Sequence, residues 1–271
     1  MYKEDQFWRD AAMPHVEARR SLNSSASYKP HFHSTISVGA VQRGESVLID
    51  SGNMARKIGP GTVVWIPAYQ LHSCNPLPLR AWSFQMLYLD PHWLCSKRPT
   101  AQRSSAATHA ADGILISTDR HLYTGVCTLT DLLFSQAAQQ SKLKALIAFM
   151  DALHTAAWEQ MPCGLHSRHI SHEIQVLLQK IQHTPSEEIN WDEEARVAGC
   201  SRTQLIRAFK KMTGMTPHAW QQNARIIAAR ELLRSGHKLA DVAYAQGFAD
   251  QAHFQRVFKS LAGSTPGNYR A

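Results

Sequence analysis

Cysteine is scarce in this sequence, and the little present forms no pattern. The five cysteines (Cys74, Cys95, Cys127, Cys163 and Cys200) are odd in number, scattered, and nowhere arranged as C-x-x-C. That spacing excludes a disulfide framework and a structural zinc site, and it fits reduced thiols in a cytosol. Long apolar runs are missing too. The most apolar window, "LKALIAFMDALHTAAW" from Leu143 to Trp158, is too short and too interrupted to span a bilayer. The opening residues, "MYKEDQFWRDAAM", are charged and hold no apolar h-region, so no secretory signal is expected. A cytoplasmic protein with no membrane partner is the expectation.

The third shortage is local. From Ala195 to Ala271 there are twelve Lys and Arg but only three acidic residues, Glu231, Asp241 and Asp250. The residues before Ala195 hold 17 basic and 18 acidic side chains, so the chain's formal +8 is concentrated in this last part. A basic excess gathered in one segment points to a polyanion partner rather than to an evenly solvated surface.

That same segment repeats itself. "GCSRTQLIRAFKKMTGMTPHAW" and, 49 residues later, "GFADQAHFQRVFKSLAGSTPGNYR" align Arg207 with Arg256 and Phe209-Lys210 with Phe258-Lys259. They also align Gly214 with Gly263, and Thr216-Pro217 with Thr265-Pro266. Two copies are too few for a solenoid. In each copy apolar residues recur at i, i+4, i+7: Leu205, Phe209 and Met212, then Phe254, Phe258 and Leu261. Each helix so predicted ends at a glycine, and Thr-Pro then supplies an N-cap and first residue for the next. A shorter helix and a glycine bend (Gly199, Gly247) precede each, which makes two helix-turn-helix units. Between them "TPHAWQQNARIIAARELLRSG" predicts one helix with Trp220, Ala224 and Ile227 on its buried stripe. About eighteen residues give roughly 27 Å, enough with its turns to set two recognition helices in major-groove faces about 34 Å apart.

Upstream, residues 28 to 90 read as short strands: "TISVGAVQ" (35–42), "ESVLIDS" (45–51), "GTVVWIPA" (61–68) and "RAWSFQMLYL" (80–89), with turns at roughly ten-residue spacing. That pattern predicts a small sandwich or barrel. Residues 96–112 are polar and small, and predict a loop. Leu122, Val126, Leu129 and Leu133, then Leu143, Leu146, Ile147, Met150 and Leu153, fall at helical spacing. "EQMPCGLHSR" (159–168) breaks the helix and is the candidate linker.

The doubled signature from Ser201 to Arg270 resembles the AraC-type transcriptional regulators. It reads S-x-x-x-L-x-R-x-F-K-x-x-x-G-x-T-P, then A-R-x-x-x-A-x-x-L-L, D-V-A-x-x-x-G-F-x-D and F-x-R-x-F-K-x-x-x-G-x-T-P-x-x-Y-R. Gln255 stands where that family usually has Ser or Thr. "PHFH" (30–33) and "PAYQLH" (67–72) are similar to the H-x-H and P-x-G-x-x-H of cupin-like sensor domains. Here Tyr69 replaces the glycine, and no carboxylate lies between Ser34 and Gln42.

The resemblance implies an α+β multidomain chain. Residues 1–118 would be a cupin-like β-barrel that senses a ligand, and 119–167 a helical dimerisation and linker region. Residues 168–271 would be an all-α domain with two helix-turn-helix motifs joined by a long helix. On the first recognition helix Arg202, Thr203, Ile206, Arg207 and Lys210 project away from the apolar stripe. The matching face of the second is Gln251, Ala252, His253, Gln255, Arg256 and Lys259. Arg suits guanine O6 and N7, Gln suits adenine, and Ile206 or Ala252 suits a thymine methyl. The bland alternative for Arg207 and Arg256 is a phosphate clamp or an internal ion pair. His31, His33 and His72 could form an open metal site, or could rim a small-molecule pocket. The family pattern adds Arg43, Cys74 and Trp82 to that pocket. The expectation is therefore a non-catalytic homodimer without metal or cofactor, partnered by double-stranded promoter DNA, a small-molecule effector and RNA polymerase. A metal-dependent cupin enzyme, or a metal sensor with a DNA-binding tail, is the alternative.

Overall fold

The computed structural model describes residues 5–97, 113–161 and 171–270. They divide into two compact units, residues 5–27 with 32–161, and residues 28–31 with 171–270.

The first unit is built from β1 (Asp5–Trp8), β2 (Val16–Ser24), β3 (Ile36–Arg43), β4 (Ser46–Asp50), β5 (Ala55–Ile58), β6 (Val63–Ile66), β7 (His72–Pro76) and β8 (Trp82–Leu89). Then come α1 (Pro91–Ser96), β9 (Leu115–Ser117), α2 (Arg120–Phe134), α3 (Gln139–Thr155) and β10 (Glu159–Gln160). Its strands form two ladders and not one closed barrel: a seven-stranded sheet ordered β1-β2-β8-β3-β6-β9-β10 and a three-stranded sheet ordered β5-β4-β7. Both faces of the sheet's middle strands, β8, β3 and β6, are buried. On β6, Val63 and Trp65 pack toward α2 and α3, whereas Val64 and Ile66 join Leu48, Ile58, Trp82 and Phe84 in the second core. Two-residue alternation with apolar groups on both sides explains why "VVWI" reads as one continuous apolar run. Leu122, Val126, Leu129 and Leu133 seal the helix side together with Leu146, Phe149, Met150 and Leu153.

Several elements escaped the sequence reading. β2 pairs with β8 along most of its length, yet it carries Glu17, Arg19 and Arg20. The charges are satisfied internally: Arg19 is 3% exposed, bonds Asp5 at 2.8 Å and stacks on Phe7 and Phe84, while Glu17 takes Arg9 at 2.7 Å. Glu159 and Gln160, expected in a linker, are instead β10, paired with β9. Residues 98–112 of the expected loop and 162–168 of the expected linker lie outside the described residues. Ile147, on the apolar repeat of α3, is 43% exposed.

The second unit is helical: α4 (His172–His183), α5 (Trp191–Val197), α6 (Arg202–Thr213), α7 (Pro217–Arg234), α8 (Leu239–Ala245), α9 (Gln251–Ala262) and α10 (Pro266–Arg270). Its helices stop and start at the punctuation in the sequence. Ser201 and Gln204 close a capping box on α6, Thr216 caps α7 ahead of Pro217, and Asp250 caps α9. Gly214 and Gly263 end α6 and α9 in the left-handed conformation, φ 79° and 64°. At Gly263 a β-carbon would also fall 2.1 Å from the Tyr28 ring, so glycine is required twice over. α7 is buried on more than one side. Trp220 and Ala224 are core as expected, but Ile226 is buried while Ile227 is half-buried, and polar Gln221 and Asn223 are buried with them.

Candidate functional site

α6 and α9 each bury one stripe and expose another. Leu205 and Phe209 are buried in α6, and Phe254, Phe258 and Leu261 in α9. Opposite them Arg202, Thr203, Arg207 and Lys210 stand exposed on α6, as do Gln251, Ala252, Gln255, Arg256 and Lys259 on α9. Neither helix contains a carboxylate. Both surfaces are therefore cationic, with donors and a few apolar groups spaced along one face, the chemistry that major-groove base edges and phosphates accept.

Three of the candidates are partly engaged. Ile206 is half-buried. His253 is half-buried, with its ring edge-on to Phe248 at 5.5 Å. Arg202 Nη1 lies 3.3 Å from Asp192 Oδ2 on α5, a pair with both partners more than half exposed. Such a pair contributes little and is open to exchange. The Asp250 carboxyl sits below its ordinary range, chiefly because the His253 backbone N–H donates to it, and that holds the first turn of α9 in place.

The side chains that unite the two motifs were not picked out from sequence. On α7, Gln221 Nε2 donates to the Glu187 carbonyl at 2.6 Å and to Pro185 at 3.2 Å. One turn on, the Arg225 guanidinium donates to the carbonyls of Pro185, Gly247 and Ser186. The available signal was a polar pair at i, i+4 on a helix otherwise rich in Ala and Ile.

Of the candidate pocket residues, His31 falls in residues 28–31 of the second unit, and the five in the first unit do not share one place. His33 lies against His72 and edge-on to Tyr88, ring centroids 5.3 Å apart in both pairs. His31 and His72 are buried, and their Nδ1 atoms meet the carbonyls of Lys29 and Gln70 at 2.8 and 2.9 Å. With Nδ1 as the donor, Nε2 carries the lone pair, the state in which imidazole ligates a metal. His72, beside His33, thus offers one metal-donor nitrogen within the first unit.

Arg43 and Trp82 belong to the opposite end. Register places Ile36 against Leu89 but Arg43 against Ser83, so β3 separates the two groups by roughly 20 Å at about 3.3 Å per residue. Arg43 is exposed there, and Trp82 is buried against Phe84 at 4.3 Å. Cys74, opposite Leu48, lies between the two ends, and burial pushes its thiol up to about 12. It is no nucleophile at neutral pH. Trp65 faces the helices, edge-on to Trp158, and leaves the pocket to others.

Burial also pushes His72 down to about 4 from its ordinary 6.5. The folded side chain stays neutral where the unfolded one takes up a proton. Its contribution is therefore whole above pH 6.5 and is lost as pH falls toward 4. With chelator present, the first unit should become steadily less stable as pH falls across that window because of this group. His72→Gln should flatten that part of the profile in urea melts; an unchanged slope would contradict it.

Two family models match the chain. A model described as the AraC-like ligand binding domain covers residues 14–153, and a helix-turn-helix domain model covers 195–271. The chain belongs to the AraC family of transcriptional regulators. Its similarity to the uncharacterized HTH-type transcriptional regulator YbfI of Bacillus subtilis is 23% identity over 239 residues, 88% of this chain and 86% of that one. MtrA of Neisseria gonorrhoeae is 36% identical over 95 residues, and the transcriptional activator RhaS of Escherichia coli 34% over 98. Those alignments span about a third of each relative, 32% and 35%. ToxT from Vibrio cholerae shares the fold, with TM-score 0.59 at 14% identity over 99% of this chain and 98% of that one. An unsaturated-fatty-acid-bound ToxT gives 0.59 at 15%, over 100% and 97%. Among the described residues of this AraC-family chain, no helix is long and apolar enough to cross a membrane.

Proposed function

We propose that this AraC-family regulator reads two neighbouring boxes of promoter DNA with α6 and α9, under control of a small molecule held by the first unit. The observation that carries the reading is the repetition of Arg207 and Lys210 as Arg256 and Lys259, exposed at matching positions of two capped helices. Lys210 and Lys259 suit the phosphate backbone, while Arg207 and Arg256 have the fork geometry for guanine. The effector changes promoter occupancy by binding one arrangement of a cytoplasmic homodimer better than another. Residues 119–167 supply the dimer contact, and RNA polymerase is the further partner. The chain acts by binding, without catalysis. ToxT, a protein of this fold, has been solved with an unsaturated fatty acid bound, which supports a small-molecule effector.

The full chain should bind operator DNA with log affinity falling against log salt at a slope of about −0.9 per phosphate neutralised. A folded protein that ignored promoter DNA even at low salt would refute the reading.

The pairing of His33 with His72 in the first unit favours a second reading, a metal-responsive sensor. Protein stripped with chelator should keep its fold and its DNA binding, because His33 and His72 lie outside the helical unit. A stoichiometric transition metal, with effector response lost in His33→Ala, would move the assignment to the second reading.

A further inference from the structure

We propose that Arg225 is a positioning residue that fixes the separation of the two recognition helices, and so sets which spacing of DNA boxes the protein accepts. The inference rests on the reading above, that α6 and α9 enter successive grooves. Arg225 lies midway along α7, the helix between the motifs. Its Nε donates to the Pro185 carbonyl at 2.8 Å and its Nη2 to Ser186 at 3.4 Å, both in the loop that leads into α5. Its Nη1 donates at 2.8 Å to the carbonyl of Gly247, in the turn between α8 and α9. One planar fork thus holds the entrance of the first motif and the bend of the second.

The packing around that fork is close. Gly247 has φ +68°, and a β-carbon there would lie 3.1 Å from the Ser186 carbonyl oxygen and 3.3 Å from Arg225 Cζ. Gln221 anchors the same loop from one turn earlier on α7, so the loop follows α7 closely. Lysine cannot reproduce this arrangement, because a single ammonium on a flexible stem has no fixed fork.

The test uses the full-length protein and DNA carrying either box alone, both boxes at native spacing, or both with one base pair inserted. An inserted pair rotates the second box by about one tenth of a turn, so wild type should bind the insertion about tenfold more weakly. Arg225→Lys keeps the charge and should bind each single box within about twofold of wild type. It should lose about tenfold at native spacing and pay no more than about threefold for the insertion. Gly247→Ala, which pushes the same groups apart while leaving both reading faces intact, should relax spacing in the same way and covers the case in which Arg225→Lys fails to fold. A spacing profile identical to wild type overturns the inference. So does a loss on single boxes as large as the loss on the pair, since that marks a general defect of folding. If wild type itself gains nothing from the second box, the two-groove reading falls first.

Discussion

Phe258→Ala should destabilise the DNA-binding unit by about 3–5 kcal/mol and abolish two-box binding at growth temperature. Phe258 is fully buried, with ring centroids of Phe254 at 5.7 Å and Tyr269 at 5.6 Å. The pairs are tilted or edge-on, which adds to what area burial alone contributes. Tyr269 is in turn capped by Arg230, whose guanidinium lies 4.8 Å from the ring centroid. Truncation therefore opens a cavity between α9, α10 and α7 in one step. Phe209→Ala in the first motif should cost a similar amount, since Phe209 is also fully buried and meets Trp220 edge-on at 6.1 Å. Tyr244→Ala is the control. At 87% exposed it should change stability by no more than about 0.5 kcal/mol. Urea melts of the three variants decide the matter. A Phe258→Ala protein with the wild-type midpoint would show that the aromatic cluster does not hold α9 to the unit.

The helical half was legible because each of its signals is local. Caps, glycine stops and an i, i+4, i+7 stripe lie within one helix, and they agree with one another across both copies. α7 marks the limit of that approach. A helix covered on several sides has no single stripe, which is why Ile227 was expected where Ile226 is the buried one, and why Gln221 and Arg225 passed unnoticed. The sensor half was read less completely. β2 lies inside the sheet between β1 and β8, but Arg19 and Glu17 hide its alternation, and their partners Asp5 and Arg9 come from the first strand and the turn after it. β7, "HSCNP", has no strand-forming pattern and is held by β4 alone. The pocket candidates show the same limit. Register spreads them along the first unit, with His33 before the Ile36 end of β3 and Arg43 and Trp82 beside its other end. Local patterns name candidate residues; only the pairing of strands brings them together or keeps them apart.

Removing both arginines should have the largest effect on recognition itself. If Arg207 and Arg256 each make a bidentate contact with guanine, each Arg→Ala change should cost about 1–3 kcal/mol on the operator. The two lie on different helices with no shared partner, so the double variant should lose about 2–6 kcal/mol, near the sum. Both side chains are exposed, and neither substitution touches Phe209 or Phe258, so the fold should be kept. The two copies need not weigh equally. Gln251 and Gln255 on α9 give the second face adenine-directed chemistry, whereas the first has Arg202 and half-buried Ile206 at the matching positions.

The most direct measurement is an in vitro selection of binding sites, run in parallel on wild type, Arg207→Ala and Arg256→Ala. Wild type should return two boxes about one helical turn apart. Arg207→Ala should lose base preference in one box only, and Arg256→Ala in the other only. If both variants return the full wild-type motif at uniformly reduced affinity, with a salt slope smaller by about one, then the arginines grip phosphate. The duplicated helices would then hold DNA without reading it at these positions.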